Sequence, residues 1–137
     1  MSGLEELSHD ECWELLRSRR LARIAYCDSG LPHVRPVNFA VRGHHLLLRV
    51  SAAGLGARLA DRPVALEVDD VDVLGREACS VVLLGTATVA RRSSELVRVG
   101  TTPPSWAGEG HQDVVLVTVA EISGRRVMLP ETDQLLR

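Results

Sequence analysis

Two short segments of the sequence carry side chains that could hold a ligand. In the first, His33 to Phe39, Arg35 can donate hydrogen bonds to a heteroaromatic ring, and Asn38 can both donate and accept them. Pro36 lies between them and has no N–H group, so a strand here loses one main-chain donor. This pattern favours a sheet margin at which a ligand borders the backbone.

The second segment is Arg49-Val50-Ser51, which is followed by small residues and the start of a helix. An arginine, a hydroxyl and the free N–H groups of a helix start suit a phosphate group. A structural interpretation stays open for both segments, because arginines on strands often cover their neighbours or pair with acids such as Glu67.

The sequence contains no motif of a self-contained catalytic site: GxSxG, P-loop, GxGxxG and HExxH patterns are all absent. The five histidines are scattered, and neighbours such as His44 and His45 would point to opposite faces of a strand. Asp69, Asp70 and Asp72 lack the spacing of a calcium-binding loop. We therefore expect a solvated acidic connection there, and no metal site.

The composition is that of an ordinary globular domain. The 137 residues include 16 arginines and no lysine, with a net charge of -2, so we expect one domain over residues 1–137 that binds neither nucleic acid nor a membrane. Cys12, Cys27 and Cys79 form no CxxC pair, which favours free, buried thiols. Because neither a signal peptide nor a membrane span is recognisable, we expect a soluble, cytoplasmic protein.

The hydrophobic pattern predicts a mainly β chain behind one helix. Ser8 and Glu11 fit a capping box in front of a helix from His9 to Arg19. The pattern then predicts six or seven strands, at about residues 21–27, 31–41, 45–50, 64–68, 78–90, 114–122 and 125–129. The run Val81–Leu84 predicts a central strand covered on both faces.

The remaining segments connect these strands. Residues 51–61 predict a short helix in which Leu55 and Leu59 share a face, residues 93–99 another, and residues 101–112 a loop that contains Trp106. Ser123-Gly124 reads as a turn between the last two strands. Together, the elements indicate a small antiparallel barrel.

The order of these segments resembles the pyridoxamine 5'-phosphate oxidase-like family, the FMN-binding split barrels, from about Leu7 to Met128. The resemblance is carried by LLRSRRLARIAY, DSGLPHVRPVNFAV, LLLRVS, RPVALEVDDVD, REACSVVLLGTATV, the tryptophan of PPSWAGEG and the closing ISGRRV. It implies a six-stranded antiparallel split β-barrel and a homodimer with two FMN sites at its interface.

The resemblance also implies which residues contact FMN. The strand beside the isoalloxazine ring carries Arg35, Pro36, Val37 and Asn38, with Arg35 as the cation near the N1–C2 edge of the ring. The strand end that contacts the flavin and its phosphate carries Arg49, Val50 and Ser51. Ala78, Cys79, Ser80 and Trp106 are placed near the dimer interface and the site, and Trp106 within reach of the second chain.

Several positions depart from the family pattern. Relatives commonly place a threonine after the arginine and a lysine in the following helix, where this chain has Val50 and Gly54. Arg58, one turn further on, is the only cation in that helix. Each lost charge-assisted hydrogen bond is worth roughly 1.5–3 kcal/mol. A Gly-Trp-Ser of many relatives is Ala78-Cys79-Ser80 here.

Three functions stay open on the sequence alone. The first is an FMN-dependent oxidoreductase with a small-molecule substrate. The second is a barrel that has lost FMN and binds a protein partner or another ligand, such as haem through His33 or His111. The third is a barrel that uses a deazaflavin cofactor as a dissociable cosubstrate.

Overall fold

A computed structural model describes residues 4–90 and 112–129 of the chain. The predicted helix at residues 93–99 and most of the predicted loop at residues 101–112, including Trp106 and His111, lie outside the described residues. Across the described ranges, no helix has the length and apolar character needed to cross a bilayer.

Helix α1 (His9–Arg17) begins at the predicted capping box. Ser8 Oγ accepts a hydrogen bond from Glu11 N at 3.1 Å, and Ser8 N donates one to Glu11 Oε1 at 3.0 Å. The bond from Ser8 N is the main reason that the pKa of Glu11 lies below its usual value. The apolar side of the helix, with Cys12 and Leu16, is buried.

The described residues form seven strands. Six of them follow the predicted order, with the last two predicted strands joined into one, and one short strand is added before the helix. The seven strands are β1 Leu4–Glu6, β2 Leu21–Asp28, β3 Leu31–Arg42, β4 His45–Ser51, β5 Arg62–Asp72, β6 Glu77–Ala90 and β7 Gln112–Met128. Between β4 and β5, the chain forms a π-helical turn (Ala52–Gly56) and a short helix α2 (Ala57–Leu59).

All strand pairs are antiparallel, and the sheet order is β1-β7-β4-β3-β2-β5-β6. Pairing of β6 with β7 closes the sheet into a ring. The predicted fold class, a mainly β antiparallel split barrel with a leading helix and short additional helical segments, is confirmed. Closure protects the long strands β6 and β7, which would otherwise present open edges.

The β2–β3 hairpin shows how local sequence sets the register of the sheet. Its two-residue turn is Ser29-Gly30, with φ angles of +53° and +78°. Two positive φ values give the turn the twist of the flanking strands, and glycine adopts one of them without steric cost. The sequence Asp28-Ser29-Gly30 predicts this turn, and the structure confirms it.

The barrel interior holds one hydrophobic core. Side chains that alternate along the strands fill it, and the predicted pair Leu55 and Leu59 closes one side. The largest fully buried side chains are Phe39, Leu16, Ile24, Leu46, Leu47, Leu48, Leu59, Leu66, Leu83, Val68, Val81 and Val115.

The predicted turn at Ser123-Gly124 is wrong, because β7 runs unbroken through both residues and Gly124 pairs with Val81 of β6. A Cβ atom at Gly124 would lie 2.7 Å from Cys12 Sγ. Glycine is needed here for the close approach of helix α1 to the sheet, and a turn is not formed.

The predicted acidic connection is also wrong. Asp69, Asp70 and Asp72 belong to β5, where they pair with residues 80, 79 and 77 of β6. Arginines make this possible: Arg19 Nη2 lies 2.6 Å from Asp70 Oδ1, and Arg23 Nη1 lies 2.9 Å from Asp69 Oδ2. Paired carboxylates tolerate a strand environment that disfavours isolated ones.

The three cysteines are free, as the sequence predicts, but they differ in exposure. Cys12 is buried, which raises the pKa of its thiol, and the charge of Glu11 raises it further. Cys79 is half-buried and Cys27 is exposed, so the prediction of buried thiols is wrong for Cys27.

Replacing Tyr26 with phenylalanine is expected to leave the free energy of unfolding unchanged or to raise it by up to about 1 kcal/mol. The Tyr26 hydroxyl is buried and has no hydrogen-bond partner in the described part of the chain. Urea denaturation checks this, with Phe39→Tyr as the matched control, since a hydroxyl added at the fully buried Phe39 should cost about 1–3 kcal/mol. A clear loss of stability in Tyr26→Phe would reveal a bonded hydroxyl.

Candidate functional site

The barrel opens between β3 and β4. Residues 31–38 of β3 pair with β2, whereas only residues 39–42 pair with β4. The β3–β4 ladder therefore ends at Phe39 and Leu48. Beyond that point lie Arg35–Asn38 on one side and Arg49–Ser51 on the other, and we call this opening the β3–β4 split. The structure thus brings together the two segments that the sequence singled out.

The residues at the split divide between two faces of the sheet. Asn38 and Arg49 occupy the first positions beyond the ladder, and by strand alternation they point to its outer face. Asn38 is only 8% exposed and is hydrogen-bonded, whereas Arg49 is exposed and forms no ion pair within the described residues. Arg49 is thus a cation available for a ligand on the outer face.

The other predicted residues of the two segments contribute differently. Val37 and Val50 are buried in the core, so only their main-chain groups can reach a ligand. Arg35 lies opposite Ile24 on the other face of β3, but it is exposed because β4 does not continue beside it. Pro36 is exposed and lies opposite Arg23.

The outer face of strands β2, β5 and β6 carries a charged cluster. Arg23 Nη1 lies 3.2 Å from Glu67 Oε1 and 2.9 Å from Asp69 Oδ2. Burial of Glu67 and its hydrogen bond with Asp69 raise its pKa to about 7, against the opposing effect of Arg23. The sequence suggested that an arginine would pair with Glu67, but the contact between the two acids depends on their shared face in β5.

Beside this cluster, the outer face is apolar. Ala25, Val34, Ala65, Val82 and Leu84 line shallow grooves there. Val82 is 38% exposed and Leu84 is 45% exposed. The prediction that β6 is buried on both faces is therefore wrong for the single chain. Val81 and Leu83 point into the core, whereas Val82 and Leu84 point outward. We call the five apolar residues and the charged cluster together the outer sheet face.

A family model described as pyridoxamine 5'-phosphate oxidase matches residues 8–126. The chain belongs to this family. An uncharacterised protein of Mycobacterium tuberculosis, Rv0080, is 31% identical over 129 residues, which cover 90% of this chain and 85% of that protein.

Solved structures agree with the family. The FAD binding protein from Mycobacterium smegmatis is 31% identical, with a TM-score of 0.77, over 92% of this chain and 100% of that one. A candidate pyridoxamine 5'-phosphate oxidase from Corynebacterium glutamicum is 27% identical, with a TM-score of 0.81, over 93% of this chain and 96% of that one. One of these two similar structures is thus that of an FAD binding protein.

The segment that the resemblance assigns to the phosphate, Arg49–Ser51 and the turn after it, forms contacts within the chain. Ser51 Oγ accepts a hydrogen bond from Gly54 N at 3.3 Å and caps the π-helical turn, although its hydroxyl hydrogen can still reach a ligand. A Cβ at Gly56 would lie 2.7 Å from Asp113 Oδ2, so a carboxylate packs against this turn.

Arg58, the candidate replacement for the family lysine, forms an ion pair with the β2–β3 hairpin. Its Nε lies 3.0 Å from Asp28 Oδ2, and the two side chains are 43% and 31% exposed. Because Asp28 compensates this charge, Arg58 offers a phosphate less attraction than a free lysine would.

The residues predicted near the dimer interface lie on β6, away from the split. Ser80 lies opposite Asp69 of β5 and Arg125 of β7, and it is half-buried. Within one chain, the structure does not bring Ser80 to the split. Strand β7 lies between β6 and β4, and Ser80 is opposite Arg125 of β7, whereas Arg49–Ser51 are opposite residues 112–114. The position of Trp106, predicted at the same interface, lies outside the described residues.

Arg126 of the closing GRR sequence is engaged in structural contacts. Its guanidinium contacts Glu5 at 3.3 Å, Glu11 at 3.4 Å and Glu77 at 2.5 Å, which ties β1, α1 and β6 to β7. Hydrogen bonds with Cys79 and Glu5 raise the pKa of Arg126. These contacts occupy Arg126 and leave Arg125 as the exposed cation of the pair.

His33, a candidate haem ligand on sequence grounds, packs against Tyr26. The two rings are 5.3 Å apart between centroids and inclined by 16°. A half-buried imidazole stacked in this way already serves as a packing residue. The structure therefore gives His33 a packing contact with Tyr26.

Proposed function

We propose that this chain binds a flavin at the β3–β4 split and acts as an oxidoreductase on a small-molecule substrate. The observation that carries the proposal is the end of the β3–β4 ladder, which leaves Arg35–Asn38 of β3 outside the pairing with β4 and next to Arg49–Ser51. Membership of the oxidase family and likeness to an FAD binding protein at 31% identity support it.

A bound flavin supplies hydride and electron transfer, so the protein needs only to bind, orient and polarise it. Main-chain groups on the open side of β3 can form hydrogen bonds with the polar edge of the ring. The exposed Arg35 places a positive charge at the same opening, and Arg49 offers a phosphate a bidentate partner. In this proposal, the flavin supplies the chemistry and the protein supplies only binding groups, which agrees with the absence of catalytic motifs from the sequence.

We further propose that FAD binds more tightly than the FMN predicted from the sequence. The terminal phosphate of FMN is largely a dianion at neutral pH, whereas each phosphate of FAD carries a single charge. Arg49 can match one such charge, but a second cation for a dianion is not free here, because Arg58 is paired with Asp28. The charges of this segment therefore favour the dinucleotide.

A homodimer is the third part of the proposal, with the outer sheet face as its interface. Val82 and Leu84 are large apolar side chains exposed on a sheet surface, and small Ala25 and Ala65 leave grooves beside them. A twofold axis would pack this face of one protomer against the same face of the second protomer, so that both faces are covered. The dimer would also cover both faces of β6, as its apolar sequence suggests.

Titration with three flavins tests the cofactor proposal, because riboflavin has the ring without phosphate. We expect FAD to bind more tightly than FMN, with changes in the visible spectrum of the flavin. Arg49→Ala should weaken FAD roughly ten- to a hundredfold, the value of a charged hydrogen bond, and leave riboflavin unchanged. Arg35→Ala should weaken all three flavins, since it alters the ring side of the split.

Arg17→Ala is the matched control, because Arg17 is exposed on α1 and should affect no flavin. If none of the three flavins binds at up to about 100 μM, the flavin proposal is wrong. In that case, the same preparations should be tested with haem and with a deazaflavin cofactor. Tighter binding of FMN than of FAD would contradict only the choice of the dinucleotide.

A further inference from the structure

The charged cluster on the outer sheet face cannot be neutral when all of its groups are ionised. Arg23 carries one positive charge, and Glu67 and Asp69 carry one negative charge each. With one proton shared between the two acids, the cluster becomes neutral. The number of protons bound therefore decides whether this part of the face can be buried without an unpaired charge.

The cluster lies next to the apolar part of the same face. Glu67 lies opposite Val82 of β6 on one side and Arg23 of β2 on the other, and Val82 is exposed. Any partner that covers Val82 therefore also covers Glu67. In a twofold dimer, two copies of the cluster would be buried, and each cluster would carry a net negative charge if Glu67 were ionised.

We propose that protonation of the Glu67–Asp69 pair controls assembly of this chain, so that the homodimer through the outer sheet face is favoured in mild acid and weakened in mild base. The inference rests on the homodimer of the proposed function. It adds that Glu67 determines the pH range in which the homodimer is stable.

Within the described residues, the strands packed against Glu67 present no acidic or histidine side chain to it besides Asp69. Arg23 of β2 and Asp69 of β5 face Glu67. Strand β6 presents only the uncharged Val82 and Ser80 to it. Arg125 of β7 lies one strand further, opposite Ser80. Asp70 points to the other face of β5, where Arg19 holds it at 2.6 Å.

The direction of the pH dependence of dimer formation follows from the burial of Glu67. The pKa of Glu67 in the single chain is about 7, raised mainly by burial and by the hydrogen bond with Asp69. Covering the face buries Glu67 further and raises its pKa in the dimer, so association takes up protons. The dimer is then favoured below pH 7, and it loses stability as the pH rises through the pKa of the single chain.

Sedimentation equilibrium between pH 5.5 and 8.5, at constant ionic strength, tests the inference. We expect the dissociation constant of the wild-type dimer to be roughly ten- to a hundredfold higher at pH 8 than at pH 6, since each protomer contributes one titrating group. Glu67→Gln mimics the neutral acid. At every pH in this range, it should keep the low dissociation constant that the wild type has at acidic pH.

Two further variants make the result specific. Glu14→Gln changes an exposed acid on α1 and should keep the wild-type pH dependence. Asp69→Asn leaves Glu67 facing Arg23 without the second acid, so its pKa should fall and the transition should move to lower pH. Circular dichroism establishes that each variant is folded before assembly is compared.

The outcomes separate the two levels of the proposal. A chain that is monomeric at every pH contradicts the homodimer itself. A dimer whose affinity does not change with pH, or a Glu67→Gln variant with the wild-type pH dependence, contradicts only the control of assembly by Glu67. In that second case, the outer sheet face can still be the interface.

Discussion

Replacing Gly85 with alanine is expected to lower the free energy of unfolding by about 2–4 kcal/mol. Gly85 lies at the irregularity in the β6–β7 register, next to Leu84. A Cβ atom there would overlap the main-chain oxygen of Thr118 and lie 3.1 Å from Val117 Cγ1. Relief requires that the backbones of β6 and β7 move apart, because a carbonyl group in a ladder cannot rotate away.

Chemical denaturation measures this loss, with Gly54→Ala as the matched control. A Cβ at Gly54 would lie 3.4 Å from Ser51 Oγ, an ordinary contact, and Gly54 has no positive φ angle. Since alanine has the higher helix propensity, the control should be neutral or slightly stabilised. If Gly85→Ala were as stable as Gly54→Ala, the close approach of β6 and β7 would not exist in solution.

Replacing Leu84 with glutamate is expected to convert the proposed homodimer into a monomer without unfolding the chain. Leu84 is 45% exposed in the single chain, so a carboxylate at this position can be hydrated there. In a twofold interface, two such charges would be buried without partners, at about 3–5 kcal/mol each. The dissociation constant should therefore rise by at least roughly a thousandfold.

Leu74→Glu provides the control for that experiment. Leu74 is 98% exposed in the connection between β5 and β6, so the variant carries the same change of charge outside the apolar patch. It should assemble like the wild type on a sizing column with light-scattering detection. Equal dimer affinity in Leu84→Glu and the wild type would exclude the outer sheet face as the interface.

Local signals in the sequence predicted the parts of the fold that depend on neighbouring residues. The capping box at Ser8 and the turn at Gly30 are examples, because their geometry is set within four residues. The Ser123-Gly124 turn failed for the complementary reason. A glycine that admits Cys12 Sγ from a distant helix carries the same local signal as a glycine in a turn.

The candidate site was predicted in part for similar reasons. The resemblance and the residue types placed Arg35–Asn38 beside Arg49–Ser51, and the end of the β3–β4 ladder does bring them together. The pairing of Arg58 with Asp28 joins residues 30 positions apart. The contact of Asp113 with Gly56 likewise joins distant segments. Such contacts form only after the strands have assembled, so a local sequence pattern cannot predict them.

Strand β7 pairs with β1, β4 and β6, and this has a consequence for the order of folding during synthesis. Leu4 must find Val127, which the ribosome adds more than a hundred residues later. Until then, β4 and β6 each lack the ladder that β7 provides, and their open edges can pair with other nascent chains. Such distant pairings make folding slow. The yield of native protein should therefore depend on the temperature of expression and on chaperones more than its final stability suggests.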